Sequence, residues 1–367
     1  MRVLYDGQIY RIQAAGGINR YFERLISGLP SQFEPTVYGI DSREVNFPRH
    51  PRLRTNKLVP FLPGRFSALY SRSFSKLAGL PRWDIAHPTY YNLSDGFRFS
   101  DYRCPVVVTV YDMIHALNPD LMVDGKEVIA RQREAIHAAS KVICISESTR
   151  NDVFRFYPEV RDRTTVIYLG TDIGELDTDG SKSLLSSPYF LFVGSRSGYK
   201  NFERLLGSFA KVASVDAKVL LCVAGAGLTE RERWLIFDLG LRSHIHLFEH
   251  PDDRTLATLY RHSIALVYPS RYEGFGIPPL EVMACGSVCV TANTSSLPEV
   301  VGDAGIMLDP MAADEWSDAM LSLLGNPSLR DPLIAKGKAR AQTFRWEDTV
   351  RKTIDVYEAA IKGGPIA

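Results

Sequence analysis

The sequence predicts an α/β protein made of two parallel sheets in tandem, each covered by helices. Short apolar runs rich in β-branched residues alternate with amphipathic helical patterns along nearly the whole chain. At roughly 100–200 residues per domain, 367 residues suffice for two domains. The alternation also restarts after an aperiodic stretch rich in Gly, Ser, Asp and Thr, at residues 170–188. We therefore expect two domains of the same class joined by a linker.

In the first half, the apolar runs predict strands at Arg2–Tyr5, Thr36–Ile40, Asp84–His87, Val106–Tyr111, Lys141–Ile145 and Thr165–Tyr168. Patterns with helical spacing predict helices at Gly17–Gly28, Lys126–Ala139 and Glu147–Arg155. These elements define an N-terminal domain over residues 1–170, and residues 171–188 are assigned to the linker.

The second half repeats the pattern, with strands at Tyr189–Val193, Lys218–Ala224, Ile245–Phe248, Ile264–Tyr268, Val288–Thr291 and Gly305–Leu308. Its helices are expected at Phe202–Ala213, Asp253–Arg261, Pro279–Ala284, Asp314–Leu324 and Leu329–Phe344. Residues 189–345 thus form a C-terminal domain. Residues 346–367 contain one more helix, because Val350, Ile354, Tyr357 and Ile361 would form an apolar stripe along one helical face. We expect this helix to pack back across the cleft between the two domains.

Composition excludes several classes of protein. Lys and Arg number 43 against 42 Asp and Glu, so a net charge of +1 gives no general attraction to nucleic acid. No apolar stretch approaches the roughly 18 residues that span a bilayer, and the N-terminus has no signal-peptide pattern, so we expect a cytoplasmic protein. The 5 cysteines form no CxxC pair, which argues against a zinc site or a disulfide framework.

Ligands of open α/β sheets bind beyond the carboxyl ends of the strands, so the loops that follow strands are the first places to look for chemistry. With two such domains, the crevice between them is the expected site. One such loop ends in Gly16 and Gly17, just before a helix. Paired glycines let the backbone approach a ligand, and a helix N-terminus offers amides to an anion, although a plain tight turn fits equally well.

The loop after strand Tyr189–Val193 carries Gly194, Arg196, Gly198 and Lys200. Arg binds phosphate through a planar fork and Lys binds it as a point charge. The pair therefore suits a diphosphate whose negative charge grows as it leaves, and a solvated basic loop is the simpler alternative.

The segment after strand Ile264–Tyr268 carries Glu273, Gly274, Gly276 and Glu281, with two prolines suited to a first helical turn. Its two carboxylates, eight residues apart, are expected to reach one crevice. A carboxylate there can accept both hydroxyls of a ribose, and another can hold the hydroxyls of a sugar. Acidic capping of the helix is the structural alternative.

The residues from Glu273 to Glu281 resemble the E-x7-E motif of the retaining family-4 (group 1) glycosyltransferases. That family has the GT-B fold, in which two Rossmann-like domains face each other across a cleft, and the resemblance covers nearly the whole chain. The family's order is also followed by the glycines Gly16 and Gly17 and by the segments 110–115, 145–150, 193–201, 283–286, 295–300 and 344–347.

The resemblance implies a role for each of these loops. Arg196 and Lys200 would hold the donor diphosphate, Glu281 the ribose, and Glu273 the transferred sugar. The amides of Gly274, Phe275, Gly276 and Ile277 would bind the sugar and its phosphates, and Gly16 and Gly17 would approach the diphosphate from the other domain. The base would lie near Phe248 and residues 225–227.

Two departures from the family pattern concern contacts near the donor. Many relatives have a His-Asp pair after the fourth strand, whereas this chain has Tyr111 and Asp112 followed by His115. Either Tyr111 or His115 would supply the missing contact, or His115 is only a structural histidine. In the phosphate loop, Arg196 stands one position later than the cation of some relatives.

Two further patterns do not support a function. Asp177 and Asp179 match the DxD of metal-dependent transferases but lie in the linker, so we expect neither a metal nor any other cofactor. Gly225 and Gly227 resemble a dinucleotide fingerprint, yet Glu230 stands where its third glycine belongs, which disfavours a nicotinamide dehydrogenase.

A basic region stands out in the first domain. From Val45 to Trp83 there is no acidic residue, and the positive side chains are Arg49, Arg52, Arg54, Lys57, Arg65, Arg72, Lys76 and Arg82. Helical spacing over 65–77 predicts a basic amphipathic helix, which suits peripheral contact with an anionic membrane surface. The region could equally form a helix that packs on the first sheet with solvated charges, or a site for an acidic glycan.

The sequence thus predicts a metal-independent retaining glycosyltransferase that uses a nucleotide sugar, with UDP favoured by family frequency and GDP-mannose second. The acceptor would be a glycan or a lipid-linked oligosaccharide of bacterial polysaccharide synthesis. A glycoside hydrolase with Glu273 and Glu281 as its two acids has no use for the neighbouring cations. Two competing hypotheses are a sugar-nucleotide 2-epimerase and a non-catalytic protein that binds a glycan or a nucleotide sugar.

Overall fold

The structure is a computed structural model that describes residues 1–12, 16–38, 47–56, 83–91, 98–118, 125–176, 182–196 and 198–364. The chain divides into two compact units. Unit 1 contains Met1–Gly170 and Trp346–Ala367, and unit 2 contains Thr171–Arg345. Most of the basic region (57–82) and the Asp177 to Asp179 motif lie outside the described residues.

Unit 1 contains two groups of parallel strands, which a β-bridge joins. Its strands are β1 (Arg2–Tyr5), β2 (Glu34–Tyr38), β3 (Arg54–Asn56), β4 (Ile85–Ala86), β5 (Val107–Val110), β6 (Lys141–Cys144) and β7 (Thr164–Val166). They pair in the orders β3-β2-β1-β4 and β5-β6-β7. A parallel bridge between Ala86 and Val106 joins the two groups.

Helices cover these strands, as parallel sheets require. In unit 1 they are α1 (Ile9–Ile12), α2 (Gly17–Ser27), α3 (Ile114–Leu117), α4 (Gly125–Ala138), α5 (Glu147–Phe156) and α13 (Trp346–Gly363). The last of these follows unit 2 in the chain but packs in unit 1, where Val350 lies against Gly28. A Cβ on Gly28 would come within 2.8 Å of the Val350 side chain, so a glycine allows this close approach.

A buried polar cluster fixes α13 in unit 1. The Tyr357 hydroxyl lies 2.7 Å from Nδ1 of His87 and 3.1 Å from the Tyr5 hydroxyl. Nε2 of His87 lies 2.9 Å from Oγ1 of Thr109. Burial lowers the pKa of His87 to about 3, so its imidazole is neutral at physiological pH.

Unit 2 contains one parallel sheet of 6 strands in the order β10-β9-β8-β11-β12-β13. The strands are β8 (Tyr189–Val193), β9 (Leu220–Gly225), β10 (Ile245–Glu249), β11 (Ala265–Tyr268), β12 (Val288–Ala292) and β13 (Ile306–Leu308). Its helices are α6 (Phe202–Val215), α7 (Glu230–Asp238), α8 (Asp253–His262), α9 (Ile277–Ala284), α10 (Leu297–Val301), α11 (Ala313–Gly325) and α12 (Arg330–Ala341). Strand order reverses between β8 and β11, and ligands of such sheets bind at that reversal.

The predicted α/β class with parallel sheets is confirmed, and several local expectations need correction. Residues 171–176, assigned from sequence to the linker, belong to unit 2, where Ile173 is buried in a short 3-10 turn. The sequence patterns missed β3, a short strand rich in polar residues, and α7. In the described part of the basic region, Arg52 and Arg54 pair with Glu34. No helix among the described residues is long and apolar enough to cross a bilayer.

Candidate active site

In unit 2, the predicted site residues follow the two strands at which the sheet order reverses. Arg196 and Lys200 lie in the loop after β8, and Glu273 lies in the loop after β11. Parallel strands point their carboxyl ends to one edge, so the fold brings these distant parts of the chain together. This edge is the candidate active site of unit 2.

The clearest contact at this edge joins Lys200 to Glu273. Nζ of Lys200 donates to Oε1 of Glu273 at 2.6 Å and to the Tyr268 hydroxyl at 2.9 Å. The two charged side chains are only 12% and 11% exposed. Burial, the largest single effect, lowers the pKa of Lys200, but Glu273, Tyr268 and Tyr199 together outweigh it and raise the pKa above its ordinary value. Lys200 therefore stays positively charged at every physiological pH.

Two serines from the loop after β12 hold the backbone of Glu273. The Glu273 amide donates to Oγ of Ser295 at 2.8 Å. The Ser296 hydroxyl lies 2.9 Å from the Glu273 carbonyl oxygen and 2.8 Å from that of Phe275. Because the amide and the carbonyl group of Glu273 are both hydrogen-bonded, the backbone that carries its carboxylate is held in place.

The loop between Glu273 and α9 makes a tight turn that requires glycine. Gly276 has φ +109°, and a Cβ there would lie 2.9 Å from the Leu297 side chain. Phe275 is buried edge-on against Phe344, with ring centroids 5.8 Å apart. Ile277 begins α9, so the Gly274–Ile277 segment presents backbone atoms at the start of that helix.

Glu281 lies in α9 and is buried, with 3% of its surface exposed. The Tyr260 hydroxyl donates to its Oε2 atom at 2.8 Å. Burial raises the pKa of Tyr260 well above its ordinary value, and the Glu281 carboxylate raises it further. Tyr260 therefore remains a donor that orients the carboxylate.

Arg196 is held by contacts on the other side of β8. Its Nε donates to Oε1 of Glu232 at 2.8 Å and its Nη2 donates to the Gly227 carbonyl oxygen at 2.6 Å. Its guanidinium carbon lies 5.6 Å from the centre of the Phe202 ring. Arg196 and Lys200 therefore have separate carboxylate partners.

The proposed base region is formed by the ends of β9 and β10. Phe248 is half-buried in β10 beside the His246 ring, with centroids 5.0 Å apart. A Cβ on Gly225 would come within 2.6 Å of the Gly194 carbonyl oxygen, so glycine allows β8 and β9 to end in close contact.

Unit 1 has its own candidate edge, formed by the loops after β1, β4 and β5. Gly16 caps α2 and Gly17 is the first helical residue and exposed. Oδ1 of Asp112 accepts from the Ile114 amide at 3.0 Å, so Asp112 shapes the turn into α3. The Tyr111 hydroxyl is buried and donates to the Thr89 carbonyl oxygen at 3.0 Å, whereas His115 is half-buried in α3. Of these two side chains, His115 is the more exposed.

Asp6, at the end of β1, is a buried carboxyl group at the same edge. Its Oδ1 accepts from the Gln8 amide at 3.2 Å, the Thr89 amide at 2.8 Å and the Thr89 hydroxyl at 2.7 Å. Its Oδ2 has no hydrogen-bond partner within the described part of the chain. Burial raises the pKa of Asp6 to about 6 despite those three hydrogen bonds.

Asp6 gives a testable pH dependence. Its folded pKa of about 6 exceeds the ordinary 3.8, so the stability it contributes is complete below pH 3.8 and is lost as the pH rises through 6. At about 1.4 kcal/mol per pKa unit, we expect the stability of Asp6→Asn relative to the wild type to rise by about 2.4 kcal/mol between pH 4 and pH 8. Urea unfolding across that range measures the difference.

Comparing the two proteins at each pH cancels the contributions of other groups, including His87, whose pKa shift has the opposite sign. A difference between Asp6→Asn and wild type that does not change with pH would show that Asp6 is ionised throughout.

Sequence reasoning assigned no role to several residues that position the site, namely Glu232, Tyr260, Tyr268, Ser295 and Ser296, although the segment 295–300 was noted for its place in the family's order. Each acts through a partner far along the chain, such as Glu232, which is 36 positions from Arg196. Spacing patterns contain no signal for such pairs. Within the described ranges, no three His, Cys, Asp or Glu side chains form a group suited to hold a metal ion.

The chain matches two protein families along most of its length. Residues 15–175 match the family described as Glycosyltransferase Family 4, and residues 178–340 match the family described as Glycosyl transferases group 1. A sequence relative is O-antigen chain mannosyltransferase B of Escherichia coli, 30% identical over 237 residues, which are 61% of this chain and 62% of that protein.

Solved structures of the same fold cover the chain almost completely. Sucrose-phosphate synthase from Thermosynechococcus elongatus has a TM-score of 0.79 at 19% identity, and the match covers 98% of each chain. The HepE protein of Anabaena, solved in complex with UDP and glucose, has a TM-score of 0.76 at 17% identity and covers 98% of this chain and 100% of its own.

Proposed function

Because this chain belongs to the group 1, family-4 glycosyltransferases and has their GT-B fold, we propose that it transfers a hexose from a nucleotide diphosphate sugar. The acceptor is a hydroxyl group of a glycan or of a lipid-linked oligosaccharide. The observation that carries the proposal is the meeting of Lys200, Glu273 and Tyr268 where β8 and β11 end, with Arg196 in the same loop as Lys200.

The chemistry of that edge fits the departure of a diphosphate. As the sugar–phosphate bond breaks, negative charge grows on the leaving oxygen, and the cationic groups of Lys200 and Arg196 stabilise it. Glu273, which accepts from Lys200, is proposed to accept hydroxyls of the sugar, and Glu281, which accepts from Tyr260, is proposed to accept those of the ribose. The residues thus supply the charge that a metal supplies in other transferases, so the reaction is proposed to be metal-independent.

We propose that the reaction retains configuration at the sugar carbon. The acceptor hydroxyl then approaches on the face from which the diphosphate leaves, and the leaving phosphate oxygen takes its proton. No carboxylate base is required beside the acceptor in this scheme. Asp112 and His115, after β5 of unit 1, are the residues proposed to contact the reacting sugar from that unit.

The donor is proposed to be a UDP-sugar, with GDP-mannose as the second candidate. The HepE structure contains UDP and glucose, which supports uridine. The Escherichia coli relative is named as a mannosyltransferase of O-antigen chains, which supports mannose and a role in polysaccharide synthesis. Contact with a membrane surface through residues 49–82 would bring the enzyme to a lipid-linked acceptor.

A thermal-shift panel of UDP-, GDP-, ADP- and dTDP-sugars tests the proposal. A ligand that binds only the folded state raises the melting temperature, so we expect a shift with one base that persists in chelator. Glu281→Ala is expected to abolish it, whereas Glu347→Ala, at an exposed acid of unit 1, is expected to keep it.

The same panel separates the competing functions. If no nucleotide shifts the wild type, the transferase proposal fails, and glycan binding or hydrolysis becomes the better hypothesis. A 2-epimerase would bind a nucleotide sugar but convert it with no acceptor present, which chromatography of the donor after incubation detects. A rise in melting temperature that requires added metal would contradict the proposed metal independence but not the proposed transferase activity.

A further inference from the structure

The contacts of Arg196 leave one part of its guanidinium group unused. Its side chain is 5% exposed, and the Glu232 side chain is 7% exposed. Nε and Nη2 are bound to Glu232 and Gly227, while Nη1 is buried with no hydrogen-bond partner among the described residues. A buried donor that lacks a partner is costly, so this atom marks a place where a ligand acceptor would be stabilising.

The position of Nη1 points to the strand ends. It lies 3.6 Å from the point that a Cβ on Gly225 would occupy. That same point is 2.6 Å from the Gly194 carbonyl oxygen, at the junction of β8 and β9. The free N–H groups thus lie at the carboxyl edge of the sheet, where the candidate active site is.

Glu232 is itself fixed at the start of α7. Its Oε2 accepts from the Thr229 amide at 2.7 Å, and Oγ1 of Thr229 accepts from the Glu232 amide at 3.2 Å, which is a capping box. Burial would raise the pKa of Glu232, but the hydrogen bonds from Arg196 and Thr229 hold it below its usual range. The carboxylate is therefore ionised and bound through both oxygens.

We propose that Glu232 is a positioning residue that orients Arg196 so that Nη1 faces an oxygen of the second phosphate of the donor, which is the terminal phosphate of the free nucleoside diphosphate. Glu232 holds Nε and the Gly227 carbonyl holds Nη2, so Nη1 is the guanidinium nitrogen that has no partner among the described residues and can donate to the ligand. This inference rests on the proposed function, because it requires that a nucleoside diphosphate binds at this edge. Glu232 touches no substrate and acts only through Arg196.

The charge and the geometry of Glu232 predict opposite effects of mutation. If the Glu232 carboxylate only neutralised Arg196, it would weaken anion binding, and any substitution that removes its charge would make the anion bind more tightly. A carboxylate that orients Arg196 favours anion binding, so its loss would weaken it. Glu232→Gln keeps an oxygen that can accept from Nε but removes the charge, whereas Glu232→Ala removes both.

The test measures dissociation constants by calorimetry for UDP against UMP and for GDP against GMP. A contact to the terminal phosphate makes the diphosphate bind more tightly than the monophosphate, by about 10–100-fold for a charge-assisted hydrogen bond. The measured quantity is the ratio of the monophosphate to the diphosphate dissociation constant. We expect Glu232→Ala and Arg196→Ala each to reduce this ratio at least about tenfold, and Glu232→Gln to preserve it. Monophosphate affinity is expected to change little.

Glu203→Ala is a matched control. Glu203, in α6, binds Nε and Nη2 of Arg231 in α7 at 2.6 and 2.8 Å, so this is also a glutamate–arginine pair that involves α7, but it is exposed. It is expected to leave the ratio unchanged. Melting temperatures of all variants show whether α7 is intact.

Each outcome is decisive. If wild-type protein prefers the diphosphate and Glu232→Ala keeps that preference, or if both Glu232 variants strengthen it, the positioning role is wrong while the proposed function stands. If wild-type protein binds none of the four nucleotides, the proposed function fails, and this inference fails with it.

Discussion

Replacing Lys200 with Met is expected to lower the rate of nucleoside diphosphate release from the donor about 10²–10³-fold. Nζ of Lys200 is the cation bound to Glu273 and Tyr268 at the end of β8, where leaving-group charge is proposed to develop. Methionine fills a similar volume but carries no charge. Initial rates with the nucleotide sugar selected by the thermal-shift panel measure the effect.

Lys211 provides the matched control for this substitution. Its Nζ pairs with Asp314 on the surface of the same unit, so Lys211→Met removes a lysine–carboxylate pair away from the candidate site. We expect it to keep the wild-type rate. Because Lys200→Met leaves Glu273 buried without its partner, the melting temperature of Lys200→Met shows whether lost stability explains the loss of rate. A Lys200→Met protein that is folded and retains a near-normal rate would contradict the role of Lys200.

Replacing Tyr357 with Ala is expected to lower the free energy of unfolding of unit 1 by about 3–5 kcal/mol. Tyr357 is 0% exposed, and its hydroxyl lies within hydrogen-bond distance of both His87 and Tyr5. The substitution leaves a cavity beneath α13 and removes the partner of Nδ1 of His87. Hydrogen exchange resolved by peptide measures unit 1 and unit 2 separately.

Two further variants divide this effect into its parts. Tyr357→Phe keeps the ring and removes only the hydroxyl, so a loss of about 1–3 kcal/mol is expected. Glu358→Ala, at the next and exposed position of α13, is expected to change stability by less than about 0.5 kcal/mol. If peptides of unit 1 keep their wild-type protection in Tyr357→Ala, α13 is not a structural part of that unit.

The fold was predictable from sequence wherever burial on both faces makes a strand continuously apolar. The limits of β8 are those expected, because Tyr189–Val193 is an apolar run of which every residue is buried. The helix α7 escaped detection because its largest apolar side chains, Trp234 and Phe237, are exposed and form no inward stripe. Similarly, β3 carries Arg54 and Asn56, which give no apolar signal.

The candidate site was predictable only in its local part. The glycine-bearing loops and their charged residues stand out in the sequence, and the sheet order places Lys200 beside Glu273. That Tyr260 donates to Glu281, or that Ser296 bonds the loop of Glu273, follows from packing between elements rather than from spacing. Interaction partners of this kind appear only once the strands are placed in order.

The position of α13 bears on how the protein is made. A nascent chain emerges from the ribosome N-terminus first, so residues 1–170 are exposed before the helix that completes their unit has been synthesised. Unit 2 is contiguous, from Thr171 to Arg345, so all of its strands have been synthesised before α13 has. During translation, therefore, the second unit along the chain can finish folding first, while the first waits for its last helix with the surface around Tyr5 and His87 uncovered.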